Sequence, residues 1–121
     1  MSEFLQLNVV EIGEEALFMF EESMMILFND TVPADLKGIS VIHDNRNITE
    51  EIKAGDEMVI GNESFKILFV GDKANETLQE LGHATINFNG ETSSELPGTI
   101  CTEKKAIPEI TGNSVISFHR R

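Results

Sequence analysis

Eight short runs rich in Val, Ile, Leu and Phe constrain this chain more than any other feature. They fall at about 4–12, 24–28, 39–43, 57–60, 64–71, 84–88, 98–102 and 114–118. Turn formers separate most of them: Gly55-Asp56, Gly61-Asn62, Asn89-Gly90, Pro97-Gly98 and Gly112-Asn113. Such residues either adopt left-handed backbone or bond to their own main chain, so they end a strand. Many short strands with frequent turns predict an all-β fold, a small closed β-barrel, because closure removes the unpaired edges that short strands would expose.

One or two short helices interrupt the pattern. The segment 72–81 reads as a helix with Leu78 and Leu81 on one face and Gly82 placed to adopt the left-handed conformation that stops it. The segment 14–22 reads as a second helix, with Glu14 and Glu15 in its first turn and Leu17, Phe18 and Phe20 packing inward. Its aromatic content also permits a strand.

The 121 residues predict one domain over 1–121, long enough to bury about 65% of the surface of the unfolded chain. No linker, repeat or low-complexity tract divides it. The single cysteine, Cys101, excludes an internal disulfide framework, and the start Met1-Ser-Glu-Phe-Leu has no basic, apolar leader pattern. No apolar run approaches the ~20 residues needed to span a bilayer. The expectation is a cytoplasmic chain with no direct membrane insertion. A formal net charge of −12 repels nucleic acid and anionic lipid and favours a basic protein partner.

Chemistry concentrates on two histidines, His43 at the end of 39–43 and His83 directly after the helix stop at Gly82. Imidazole offers a neutral, nucleophilic nitrogen near pH 7, which can take a proton, a metal or a phosphoryl group. Strand alternation puts Ile39, Val41 and His43 on one face, and His83, Thr85 and Asn87 opposite Ala84, Ile86 and Phe88. Both histidines then sit at strand ends beside loops, where a side chain can meet solvent or a partner. The plain alternative for each is a hydrogen-bonded structural histidine.

His43, His83, Cys101 and His119 lack the close spacing of a metal motif, so no metal is expected, and Cys101 reads as a small buried hydrophobe. His119, next to Arg120 and Arg121, reads as incidental at a terminus where disorder is common. No GxGxxG, P-loop or GxSxG pattern is present, and no cofactor is expected. Asp44 and Arg46 read as parts of a solvated turn with Asn45 and Asn47, the alternative being that Asp44 orients His43 and Arg46 approaches an anion held there.

An ordered set of blocks carries a resemblance: Pro33-Ala34-Asp35-Leu36, Ile42-His43, Ile60-Gly61, Val70-Gly71, Glu80-Leu81-Gly82-His83, Phe88-Asn89-Gly90, Pro97-Gly98-Thr99 and Gly112-Asn113-Ser114-Val115. With these intervals the chain resembles the glucitol/sorbitol-specific IIA component of the phosphoenolpyruvate-dependent sugar phosphotransferase system. The resemblance implies a closed β-barrel and a phosphoryl carrier that works without a cofactor. It implies that His43 is the transient phosphohistidine and His83 its assistant. It also implies the histidine phosphocarrier protein as donor and the IIB/IIC permease components as acceptor, with the chain peripheral to the membrane permease. For His43 the expected reactive nitrogen is Nε2, left exposed if Nδ1 bonds to the backbone. Departures from the family pattern fall at 44–47 and 103–110. The competing readings are a non-catalytic β-barrel binding or regulatory module and a histidine-based metal enzyme.

Overall fold

In a computed structural model describing residues 2–121, the eight expected strands form. They are β1 (Ser2–Ile12), β2 (Met24–Asn29), β3 (Ser40–His43), β4 (Glu57–Ile60), β5 (Glu63–Val70), β6 (Ala84–Asn87), β7 (Thr99–Thr102) and β8 (Val115–Arg120). Three short helices join them: α1 (Ala16–Glu21), α2 (Ala34–Lys37) and α3 (Ala74–Leu81). Met1, the first residue of the segment read for a leader, lies outside the described residues.

The strands close into a barrel in the order β1-β3-β2-β6-β7-β5-β4-β8. Most neighbours are antiparallel, but β2–β3 and β6–β7 are parallel. A parallel neighbour requires the chain to travel back along the barrel before re-entering it, and α2 lies on that return path between β2 and β3. The return brings the C-terminal ends of β2 and β3 side by side, with Asn29 in register with His43. Because β2 also pairs with β6, Leu27 opposite Ala84, the two histidines flank the end of one strand despite their separation in sequence.

The interior is filled by alternate residues. Leu5, Leu7 and Val9 of β1 point inward and meet Phe65, Phe88 and Phe118, and Phe65 and Phe88 pack edge to face at 5.0 Å. Ala74 and Leu78 of α3 join this core.

Four expectations fail for reasons of tertiary contact. Leu17 and Phe18 are 65% and 61% exposed, since α1 turns Ala16 and Phe20 inward instead, Phe20 packing against the core as expected. Leu81 is exposed while Leu78 is buried. The strand β3, for which alternation gave no burial, is buried on both faces, and α2 packs on it, where Ser40 Oγ donates to Leu36 O at 2.7 Å. His119 belongs to β8, opposite Glu57 and Glu3, rather than to a loose terminus.

Candidate functional site

His43 closes β3 opposite a bulge in β1: Val9 pairs with His43 and Glu11 with Ile42, leaving Val10 over. A bulge bends its strand and re-aims the side chains beside it. The imidazole is fully buried, and both ring nitrogens are held by the backbone. The Asn45 N–H donates to Nδ1 at 3.1 Å, and Nε2 lies 2.9 Å from Gly82 O. An amide N–H can only donate and a carbonyl can only accept, so the neutral ring carries its proton on Nε2 and its lone pair on Nδ1. Burial pushes the His43 pKa below the ordinary value, against the opposing pull of the Gly82 carbonyl and of Asp44 and Asp30. The ring is therefore neutral at physiological pH.

Gly82 fits this seat because it has no side chain. It stops α3 at φ 63°, with its N–H on Leu78 O at 2.8 Å, and a Cβ there would lie 2.7 Å from both His43 Cε1 and Asn29 Cβ. The glycine expected as a helix stop thus also forms the lid over His43.

His83 is fixed by the same corner. Its backbone N–H donates to Thr77 O at 3.2 Å and its carbonyl accepts from Thr77 Oγ1 at 2.7 Å. The ring stacks on Phe28 with centroids 4.6 Å apart, and Nδ1 donates to Leu27 O at 3.0 Å. Nδ1 therefore carries a proton, and Nε2 has no hydrogen-bond partner among the described residues. The side chain is half-buried, and it precedes β6 rather than starting it.

Two expectations about His43 change here. The ring does not meet solvent at a strand end, and Nε2 is not an exposed nitrogen. Asp44 is exposed, as a residue of a solvated turn, and it is the Asn45 amide that orients the ring. Asn45 is in turn tied down, its Nδ2 donating to Gln6 O at 3.0 Å and its Oδ1 accepting from the Asn47 N–H at 2.9 Å. Arg46 forms an ion pair with Asp30, Nε to Oδ1 at 2.6 Å, which holds the Asp30 carboxyl below its usual range.

Cys101 is buried in β7, where burial pushes its thiol pKa up. His119 Nε2 lies 2.9 Å from Ser117 Oγ on β8, so neither joins His43 and His83. Among the described residues, no three His, Cys, Asp or Glu side chains come together as metal ligands. Among the same residues, no helix is long and apolar enough to cross a membrane.

The described site is thus a small closed barrel with two imidazoles held by backbone groups beside one strand end. The model of the PTS system glucitol/sorbitol-specific IIA component family matches residues 4–117. The glucitol/sorbitol-specific EIIA component of Escherichia coli (strain K12) is 30% identical over 118 residues, covering 98% of this chain and 96% of that protein. The Shigella flexneri EIIA component matches to the same extent. The crystal structure of a PTS system IIA component from Enterococcus faecalis V583 superposes with a TM-score of 0.85 at 28% identity, covering 96% of this chain and all of that one. The chain belongs to the glucitol/sorbitol-specific IIA component family of the phosphotransferase system. Membership implies a phosphotransferase carrier role.

Proposed function

We propose that the protein carries a phosphoryl group on His43, taking it from the histidine phosphocarrier protein and passing it to the IIB component during glucitol/sorbitol uptake. The observation that best supports this reading is the His43 seat: a neutral imidazole in fixed orientation, buried beside Val41 and Ile42. Burial keeps the ring unprotonated and would keep water from a phosphorus–nitrogen bond formed there.

In the first step, the lone pair of a His43 nitrogen forms a bond to phosphorus as the donor's phosphorus–nitrogen bond breaks, and the donor imidazole departs with that electron pair. If each phosphorylated ring keeps the proton on its other nitrogen, no proton passes between the proteins. Such a transfer asks mainly for alignment and for donors to the equatorial oxygens. His83 can assist through its free Nε2 once that nitrogen is protonated. The second step repeats the chemistry with the IIB component as acceptor.

The resting seat must open first. Freeing Nδ1 requires release of the Asn45 N–H, one hydrogen bond of about 1 kcal/mol. Freeing Nε2 requires Gly82 O to withdraw and the ring proton to move to Nδ1. Docking of the donor would drive either opening. The −12 charge suits a donor with a basic face, so association should slow as ionic strength rises.

One observation favours a second reading. His83 is half-buried and its Nε2 has no hydrogen-bond partner among the described residues, so it could be the acceptor, with His43 structural. Intact mass after incubation with phosphoenolpyruvate, enzyme I and the phosphocarrier protein separates the two. An acid-labile phosphoryl addition on wild type, lost in His43→Ala and retained in His83→Ala, is the expected result. Loss in His83→Ala with retention in His43→Ala would reverse the roles.

A further inference from the structure

The basic residue nearest the two histidines in the chain is tied to a carboxylate, and the same short segment that carries it also covers His43. Arg46 is the only Lys or Arg within five residues of either histidine. Asp30 follows Asn29 at the end of β2, and Asp44 follows His43 at the end of the parallel neighbour β3. Two carboxylates therefore stand just past the ring. A phosphoryl group arriving on His43 would add roughly −1.5 to −2 charge at neutral pH, next to two negative side chains.

Arg46 is the group that can reverse this balance. Its pair with Asp30 is open to water, with the side chains 64% and 36% exposed. Exposed pairs contribute little to stability and exchange readily. A guanidinium also matches phosphoryl oxygens with two parallel donors, as it matches a carboxylate. Arg46 directly follows Asn45, whose amide occupies Nδ1 of His43. A shift of 44–47 that uncovers the ring therefore moves Arg46 as well.

Building on the reading of His43 as the carrier, we propose that Arg46 is a phosphoryl-binding residue, paired with Asp30 in the empty state and transferred to the phosphoryl oxygens when His43 is loaded. Asp30 then acts as a parking site that competes with the phosphoryl group for the guanidinium.

This competition predicts opposite effects from two substitutions that break the same ion pair. Loading from the phosphorylated phosphocarrier protein, followed by rapid-quench mass measurement, is compared for wild type, Arg46→Gln, Arg46→Lys and Asp30→Asn. The half-life of the loaded form is measured after the donor is removed. Arg46→Gln should slow loading about tenfold or more and shorten the half-life, the size expected for losing a charged hydrogen bond. Arg46→Lys should recover part of both. Asp30→Asn should load at the wild-type rate or faster. A pair that serves only to hold the two loops together would make Arg46→Gln and Asp30→Asn change in the same direction, and that result, or no effect of Arg46→Gln, overturns the proposal. Matching melting temperatures show that the variants are folded. Peptide mapping of the wild type tests the underlying reading separately: a phosphoryl group found anywhere but His43, or nowhere, removes that reading and this inference with it.

Discussion

His43 and His83 have the same side chain and bracket the same strand end, yet their surroundings give them opposite properties. His43 has its proton on Nε2, its lone pair on Nδ1, and no contact with water. His83 donates from Nδ1, and its Nε2 has no hydrogen-bond partner among the described residues. In both, the tautomer is set by a backbone group: Gly82 O and the Asn45 N–H for one, Leu27 O for the other. The half-buried imidazole keeps one nitrogen open to a new hydrogen-bond partner, and the buried one has both nitrogens occupied by the backbone. One polypeptide corner, Gly82-His83, touches both rings, so their different surroundings arise from a single turn of the chain.

The largest effect that would sharpen this comparison is on transfer. His43→Gln should reduce loading below detection, while His83→Gln, which loses one stabilising donor, should slow it by about 10–100-fold, as measured by quenched intact mass. Equal losses would mean that the two rings do not divide the work.

Stability should separate them next. His43→Ala leaves a cavity and orphans both the Gly82 carbonyl and the Asn45 amide, so urea unfolding should show a loss of about 3 kcal/mol. His83→Ala removes a half-buried ring and one hydrogen bond, and the loss should be nearer 1 kcal/mol.

The lid can be tested without touching either histidine. Gly61 and Gly82 both have positive φ, 60° and 63°, but a Cβ at Gly61 meets nothing within 4 Å. Gly61→Ala should destabilise by about 1 kcal/mol from backbone strain alone. Gly82→Ala should destabilise by about 3 kcal/mol, because strain and overpacking against His43 combine. Equal values would show that the seat yields easily.

The smallest effect is on pH dependence. The His43 pKa is lower folded than unfolded, so between the two values the unfolded chain binds more protons and stability rises with pH. The contribution is complete above the unfolded value near 6.5 and is lost as pH falls through the folded one. Denaturation between pH 7 and pH 5 should therefore show a decline on acidification in wild type that is weaker in His43→Gln. The lowered pKa values of Asp30 and Asp56 act at more acidic pH.

All eight strands lie where apolar runs and turn residues put them, and the left-handed Gly82 stops α3 as expected. These features are local: a period-two pattern or a positive φ is specified by residues within a few positions. The expectations that failed all required knowledge of neighbours. Nothing in Ala16-Leu-Phe-Met-Phe20 says that Ala16 and Phe20 turn inward while Leu17 and Phe18 stay out, and the alternation of β3 cannot show that both of its faces are covered. The site was legible only as residue types. Its decisive partners are the Gly82 carbonyl and the Asn45 amide, and backbone groups have no sequence signature.

The sequence by itself determined a barrel of short strands, the lone buried cysteine, the strong negative charge and the presence of two histidines beside helix and strand ends. Each follows from composition or from patterns a few residues long. Tertiary structure decided which histidine is sealed, where each proton sits and that Arg46 meets Asp30. The physical reason is closure: joining β2 to β3 in parallel and to β6 brings residues 29, 43 and 82 together, and burial with directional hydrogen bonds at that junction then fixes protonation.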